Sequence, residues 1–399
     1  MAELTSDTVL QRAPLMNVEL GPNTTIRVDG REVAVGANVL PILEAFAHPI
    51  AYSKAVKDLS ARVTGVQGWI ELVSTITNLY KAGVLVDEAG TAPAPSMGWA
   101  APEVHVAMLN DQVRTRAFLG AIEEVVRPGD IVLDIGTGTG VLAAAAARAG
   151  ARHVYAIEAT HIGEAAKELF AANGLADRIT VLTGWSSHLE LPERANVLVA
   201  EIIGNDPLEE GVMETFADAR KRFLTEDARV IPCGVKVFAL PVTVSDKMIS
   251  KFTFTSDDAD KWREWYGIDF SSLRTSPINR SVVFRYPPHE ARGWPVLAEP
   301  FMLANLDLSG ASHPVVNEAA EFTVTAGGSL SGLIVYFELD VGPGQRLTTS
   351  PAVADATSSW WVKIWLLEAP VDVKAGDKLK VSYRYRVDSP GTRIEIVPS

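Results

Sequence analysis

Two glutamates, Glu201 and Glu210, enclose the stretch Ile-Ile-Gly-Asn-Asp-Pro-Leu-Glu. Gly204 and Pro207 break any regular element there, so the loop can fold back and turn both carboxylates into one pocket. Two carboxylates side by side repel unless a cation lies between them, which predicts a cationic or protonatable substrate group. The competing reading is a solvated acidic loop, common in a chain whose formal net charge is -13.

A second group lies upstream. Gly136-Thr-Gly138-Thr-Gly140 follows an apolar run that ends around Asp134. Glycines let the backbone turn sharply and let a ligand approach without a Cβ in the way, and a following helix offers unpaired N–H groups. Glu158 closes the next apolar run, where an acid can accept both hydroxyls of a ribose. Glycines and acid together indicate a nucleotide-type cofactor. Dinucleotide sites are usually spaced Gly-x-Gly-x-x-Gly, whereas here the third glycine comes one residue early and position 141 is valine. S-adenosylmethionine has no diphosphate for the helix end to cradle, so this pattern points to the methyl donor, with no metal.

These residues need strands and helices to hold them. Runs at 131–135, 153–157, 179–182 and 197–200 are short, apolar and β-branched, with helical patterns at 141–149 and 162–173; alternation of this kind predicts a parallel sheet covered on both faces. Residues 104–126 are mainly helical by pattern, with Val106, Leu109 and Val113 on one side and His105, Asp111 and Arg114 elsewhere. By pattern alone Met108 is expected in the core and His105 on the surface. Beyond Pro232, strand-like runs at 235–244, 280–285, 321–325, 333–339, 361–367 and 378–385 suggest a barrel or sandwich. Residues 257–273 interrupt them with a helical, aromatic insertion. At the other end, 25–35 has hairpin alternation about Asp29-Gly30, and three helical patterns follow, the clearest running from Trp69 to Tyr80. Val84-Leu85-Val86 can return as a strand. Strands plus three short helices suggest a small winged-helix-like domain, and 91–95 is a linker by composition. The expected organisation is residues 1–90 winged-helix-like, 91–232 Rossmann-like, and 233–399 a β-barrel.

At 399 residues, two or three domains are expected. The acidic balance argues against a nucleic-acid partner. A single cysteine, Cys233, excludes an intrachain disulfide framework and fits a reducing compartment. Neither a signal peptide nor an uninterrupted apolar span is apparent, so a cytoplasmic protein with no membrane partner is expected.

Several motifs in order then resemble the protein arginine N-methyltransferases: Val132-Leu-Asp-Ile-Gly-Thr-Gly-Thr-Gly-Val-Leu, Val154-Tyr-Ala-Ile-Glu, the Glu201/Glu210 loop, and His105-Val-Ala-Met-Leu-Asn-Asp-Gln-Val-Arg upstream. Trp262-x-x-Trp-Tyr-Gly-Ile-Asp resembles that family's dimerisation arm, placed around 251–275. The likeness runs from about Met97 to the end. It implies a class I methyltransferase fold and a homodimer. Arg114 would sit on the donor's carboxylate, His105 and Met108 close to the donor, Asp134, Gly136 and Gly138 around it, and Glu158 on its ribose. Ser187 stands near the place of a glutamate that contacts the adenine in the family. Glu201 and Glu210 would hold the acceptor nitrogen, with His105 and Asp206 as further candidates to take its proton.

There are also departures. The family's N-terminal tyrosines fall near Pro95 and Trp99, and neither is present. Its Thr-His-Trp loop is Ser358-Ser359-Trp360 here; in the family that histidine pairs with the aspartate matching Asp111, and serine cannot supply its charge. The extra N-terminal domain resembles peptide-recognition domains of peptide-modifying enzymes; its other reading is a cover or dimerisation element. The expected function is transfer of methyl groups to an amine or guanidine nitrogen of a peptide or peptide-derived product. The alternatives are a protein arginine methyltransferase, and a non-catalytic peptide-binding protein with a vestigial donor site.

Overall fold

A computed structural model describes residues 8–13, 16–19, 24–28, 31–35, 39–63, 65–87, 101–276, 282–310, 315–386 and 389–398. Asp29-Gly30, the linker at 91–95, Pro95, Met97 and Trp99 lie outside the described residues.

The N-terminal unit runs β1 (Val9–Arg12), β2 (Met16–Glu19), β3 (Thr24–Val28), β4 (Arg31–Val35), α1 (Val39–Ala45), β5 (Ile50–Ala51), α2 (Tyr52–Ser60), α3 (Gly65–Lys81) and β6 (Leu85–Asp87). Two small antiparallel sheets form, β5-β1-β6 and β2-β3-β4. The period read along α3 is the buried one: Leu72, Ile76, Leu79 and Tyr80 join Phe46, Leu43 and Leu85 in a core of their own, while Trp69 stays outside it.

The middle of the chain continues with α4 (Pro102–Asn110), α5 (Gln112–Val125), β7 (Ile131–Ile135), α6 (Val141–Arg148), β8 (His153–Glu158), α7 (Ile162–Ala172), β9 (Ile179–Thr183), β10 (Ala195–Ala200), α8 (Val212–Arg222) and β11 (Leu224–Ile231). The sheet is parallel throughout, in the order β11-β10-β7-β8-β9. The chain runs outward from β7 to β9, then returns to place β10 on the other side of β7. A crevice opens where the order reverses, at the carboxyl ends of β7 and β10. The glycine loop and Glu201 are therefore neighbours by topology. The helix α8 and strand β11, absent from the pattern-based reading, complete this sheet.

The last third comprises β12 (Gly234–Val242), α9 (Asp246–Ile249), α10 (Ser256–Tyr266), α11 (Ser271–Thr275), β13 (Val283–Tyr286), α12 (Pro288–Ala291), β14 (Phe301–Asp307), β15 (Val315–Thr323), β16 (Gly328–Gly342), β17 (Gln345–Thr348), β18 (Val362–Val373), β19 (Lys378–Arg386) and β20 (Ser389–Pro398). These form two antiparallel sheets, β13-β18-β16-β12-β14 with β17 on β16, and β15-β19-β20. The aromatic insertion forms α10 and α11, as its spacing predicts. Residue 233 is no break in packing. One core takes Phe118 and Ala121 of α5, the β7–β10 strands, and Val335, Phe337 and Tyr383 of the barrel together. Gly342 makes this close approach possible, because a Cβ there would come within 2.8 Å of the Ala121 methyl.

Candidate active site

The glycine loop is built for close approach. Gly136, Gly138 and Gly140 have φ of 76°, 54° and 91°, all left-handed. A Cβ at Gly136 would strike Ile202 at 2.7 Å, and one at Gly140 would strike Phe170 at 2.5 Å. Asp134 lies beneath the loop: Thr137 Oγ1 donates to its Oδ2 at 2.5 Å, and burial pushes its carboxyl up to about 7 against the pull of that hydroxyl. It braces the loop and does not line the cavity, a correction to its expected place around the donor. Glu158 does reach the cavity, and its two oxygens accept the N–H groups of Gly138 and Thr160, both at 2.8 Å. Each oxygen keeps a lone pair to offer a hydroxyl.

The upstream helical stretch is two helices. Asp111 divides them, and its Oδ1 accepts the Arg114 N–H at 3.0 Å as the N-cap of α5. This arrangement inverts the pattern-based expectation: His105, Asp111 and Arg114 are buried, whereas Val106, Leu109 and Val113 are exposed. The His105 ring packs over Gly138, at 3.2 Å from where a Cβ would stand. Met108 lines the cavity, and its carbonyl accepts from Arg114 Nη1 at 3.3 Å and Thr115 Oγ1 at 3.2 Å. The Arg114 guanidinium lies 5.2 Å from the centre of the Trp360 ring and pairs with Glu201. Burial lowers its pKa to about 10, so it stays cationic at neutral pH, while its Nε is buried with no hydrogen-bond partner.

Glu201 and Glu210 line the same cavity as the glycine loop and Glu158. Its volume is about 380 Å³, within the range of small-molecule sites. Glu210 stands at φ 68°, left-handed for a side-chain-bearing residue. Burial and the neighbouring Glu209 push its carboxyl up to about 8, with Arg285 pulling the other way. On the far wall it is Ser186, not Ser187, that faces the cavity, beside Trp185. Ser187, expected near the adenine, is the next residue of the Ser186–His188 turn and is not among those that line the cavity.

The joint between barrel and sheet is intact despite the missing histidine. Asp111 Oδ2 accepts both the Ser359 N–H at 2.8 Å and the Ser359 hydroxyl at 3.0 Å. The link that a charge was expected to supply is made by two neutral donors to a buried carboxylate. Trp360 Nε1 donates to the Ile203 carbonyl at 2.7 Å, and the Trp361 N–H to Asn205 Oδ1 at 2.6 Å. Lys363, missed by motif reading, is buried and donates to Asp206 Oδ2 at 3.1 Å. A lone lysine inside the apolar run Trp-Trp-Val-Lys-Ile-Trp-Leu was the available signal. Among the described residues no group of histidine, cysteine and carboxylate side chains is arranged to hold a metal.

The chain is similar in sequence and fold to known proteins. A family model described as ribosomal protein L11 methyltransferase (PrmA) matches residues 113–272, and one described as arginine methyltransferase oligomerization subdomain matches 243–391. An arginine N(omega)-methyltransferase of Streptomyces achromogenes subsp. streptozoticus is 33% identical over 286 residues, covering 70% of this chain and 74% of that protein. The chain belongs to the arginine N-methyltransferase family. As a member it is an S-adenosylmethionine-dependent N-methyltransferase. Probable histone-arginine methyltransferase 1.4 of Arabidopsis thaliana is 32% identical over 283 residues, and the chain spans 52% of its length. In fold, the chain is similar to the Trypanosoma brucei PRMT1 enzyme–prozyme heterotetrameric complex with AdoHcy, at TM-score 0.62 and 20% identity over 75% of this chain and 98% of that one. It is likewise similar to Arabidopsis thaliana protein arginine methyltransferase 10, at TM-score 0.60 and 21% identity over 75% and 97%.

Proposed function

We propose that this methyltransferase acts on a guanidine nitrogen of an arginine-type acceptor seated between Glu201 and Glu210. The observation that carries the reading is that both carboxylates line one cavity with the donor loop. A guanidinium is planar and remains protonated, so two carboxylates can hold its charge and leave one nitrogen to attack. An alkyl amine would first have to lose a proton, at about 4–5 kcal/mol near pH 7. The Ser359–Asp111 joint, kept without the histidine, removes the main reason to leave arginine for another acceptor. The name of the Streptomyces relative supports the same choice.

The residues fit the donor. S-adenosylmethionine supplies a methyl group on a sulfonium. The buried Nε of Arg114 lacks an acceptor that the donor's carboxylate would provide. Glu158 would accept the ribose hydroxyls, Gly136 and Gly138 leave room beside them, and His105 and Met108 would close the other side. Glu201, paired with Arg114, would face the acceptor's charge. Glu210 holds a proton more tightly than an ordinary carboxylate in the empty site; a cationic acceptor bound beside it favours release of that proton, and the carboxylate so formed is placed to take up the one that the methylated nitrogen gives up. Serine at 186 would face the adenine end.

The finer expectations about assembly rest on two apolar patches. Trp265, Tyr266 and Ile268 at the tip of the insertion are 62%, 62% and 58% exposed, and Val106 and Val113 on α4 and α5 are 57% and 58%. We read the insertion as a homodimerisation arm whose tip covers the α4–α5 face of a second copy. The N-terminal unit, winged-helix-like with β2–β4 as its wing, is read as a peptide-recognition domain. Among the described residues no helix is long and apolar enough to cross a membrane; with Cys233 a free thiol, a cytoplasmic site of action is proposed.

The test is mass spectrometry of free L-arginine, an arginyl peptide and a lysyl peptide incubated with enzyme and donor. A 14-dalton gain on a guanidine, abolished in Glu201→Gln and Glu210→Gln with donor affinity retained, is expected. Methylation of the lysyl peptide alone would refute the guanidine reading.

A further inference from the structure

The stretch between the two acceptor-site glutamates is tied to the barrel at successive points. Trp360 holds the Ile203 carbonyl, the Trp361 N–H holds Asn205, and Thr392 and Lys363 both donate to Asp206. Asp206 in turn accepts the Leu208 N–H at 3.0 Å through its other oxygen, and its carbonyl accepts the Glu209 N–H at 3.1 Å. Lys363 reaches three residues further along the loop and also binds Glu209. Its ammonium is thus shared by two carboxylates of the loop, and Lys363 is only 7% exposed. Arg285, opposite Lys363 in the β13–β18 register, lies 3.5 Å from the other oxygen of Glu209.

Two consecutive glutamates therefore diverge. Glu209 is drawn to the barrel by Lys363 and Arg285, and Glu210 lines the cavity on its other side. The backbone between these directions is the φ 68° conformation of Glu210, the one left-handed non-glycine residue among the described residues. Such a conformation persists where its surroundings over-determine it. Gly204 supplies the space, since a Cβ there would collide with the Glu210 carboxylate. Lys363 supplies the force.

We infer that Lys363 is a positioning residue for methyl transfer: by clamping Asp206 and Glu209 it sets the turn that aims Glu210 at the acceptor. A buried cation bridging two anions is costly to assemble and costlier to break on one side, so the clamp has few alternative arrangements. The inference rests on Glu210 serving the acceptor, as proposed above.

The test compares full-length Lys363→Met, which keeps an aliphatic stem and removes the charge, with Lys363→Arg and Glu210→Gln, using the acceptor methylated best in the panel above. Lys363→Met is expected to bind S-adenosylmethionine by calorimetry within about twofold of the parent while kcat falls at least tenfold; Lys363→Arg should recover much of that loss. In a Glu210→Asp background, Lys363→Met should lower kcat much less than in the parent, because both changes act through one carboxylate. Parental kcat in Lys363→Met, or a full loss added on top of Glu210→Asp, would overturn the inference. If Lys363→Met does not fold, Lys363→Met/Asp206→Asn, which leaves no buried charge unpaired at that pair, decides by the same kcat criterion. Activity retained in Glu210→Gln would instead remove the functional reading itself, which separates the two failures.

Discussion

At the scale of single residues, the site's behaviour follows from which groups are buried with which partners. Glu210 holds its proton to about pH 8, chiefly through burial, whereas the unfolded chain releases it near the ordinary value of about 4.3. Between those values the folded state binds more protons than the unfolded one, so rising pH erodes stability, and above about pH 8 the loss is complete. Asp134, raised to about 7, acts in the same direction over a lower window. Melting temperature in the absence of ligands is expected to fall from pH 5 to pH 8.5, and Glu210→Gln should flatten that slope without abolishing it. Equal slopes in parent and variant would show that Glu210 is not the group responsible. Asp111 gives a second contrast. Ser359→Ala removes one of two donors and leaves the backbone N–H in place, a cost of about 1 kcal/mol. Asp111→Ala strands both Ser359 donors and uncaps α5, for which about 3 kcal/mol is expected. Urea denaturation of both variants measures the difference, and equal costs would mean that the joint contributes little.

At the scale of elements, legibility depended on whether a pattern had one physical meaning. The glycine loop could be placed because only a strand–turn–helix accommodates three left-handed glycines, and the alternation of β7–β10 with α6 and α7 has no other common packing. The α4–α5 stretch is ambiguous by pattern, because periodicity shows that a helix has two faces without saying what lies against each. There His105, Asp111 and Arg114 meet a cavity and the buried Trp360 while Val106, Leu109 and Val113 face outward, and only further along α5 do apolar residues, Phe118 and Ala121, turn into the core. The Ser359–Asp111 joint was hidden for a different reason: its residues are 248 apart in sequence, and one of its donors is a backbone N–H, which leaves no trace in residue types. β14, β17 and β20 carry no pattern-based expectation of their own and are strands where they pair with β12, β16 and β19. The glycine loop itself carries a prediction. Gly140→Ala would need φ 91° and a Cβ 2.5 Å from Phe170 Cζ, forcing α6 away from α7. Donor affinity is expected to drop at least tenfold together with a loss of about 3 kcal/mol in stability, from strain and overpacking combined. Retention of both would mean that the loop relaxes more freely than its packing indicates.

At the scale of the whole molecule, the distribution of cores is the informative fact. The sheet and the barrel share one core across residue 233, whereas the cavity is lined from the sheet side alone, by residues between His105 and Thr215. The N-terminal unit closes its own core around Phe46, Ile76 and Leu79. Removing residues 1–87 therefore takes away a complete core and opens none in the catalytic part. The truncated chain is expected to fold, to keep S-adenosylmethionine affinity within about twofold, and to keep kcat on free L-arginine. A domain that recruits a peptide would act through the acceptor's concentration at the site, so its loss should raise KM for an arginyl peptide while sparing kcat, on the order of tenfold or more for a short flexible tether. If KM for peptide and for free arginine are both unchanged, recruitment is excluded and a covering role is left. If both rise together with a fall in kcat, the unit shapes the cavity mouth, and the acceptor site extends beyond the sheet and barrel.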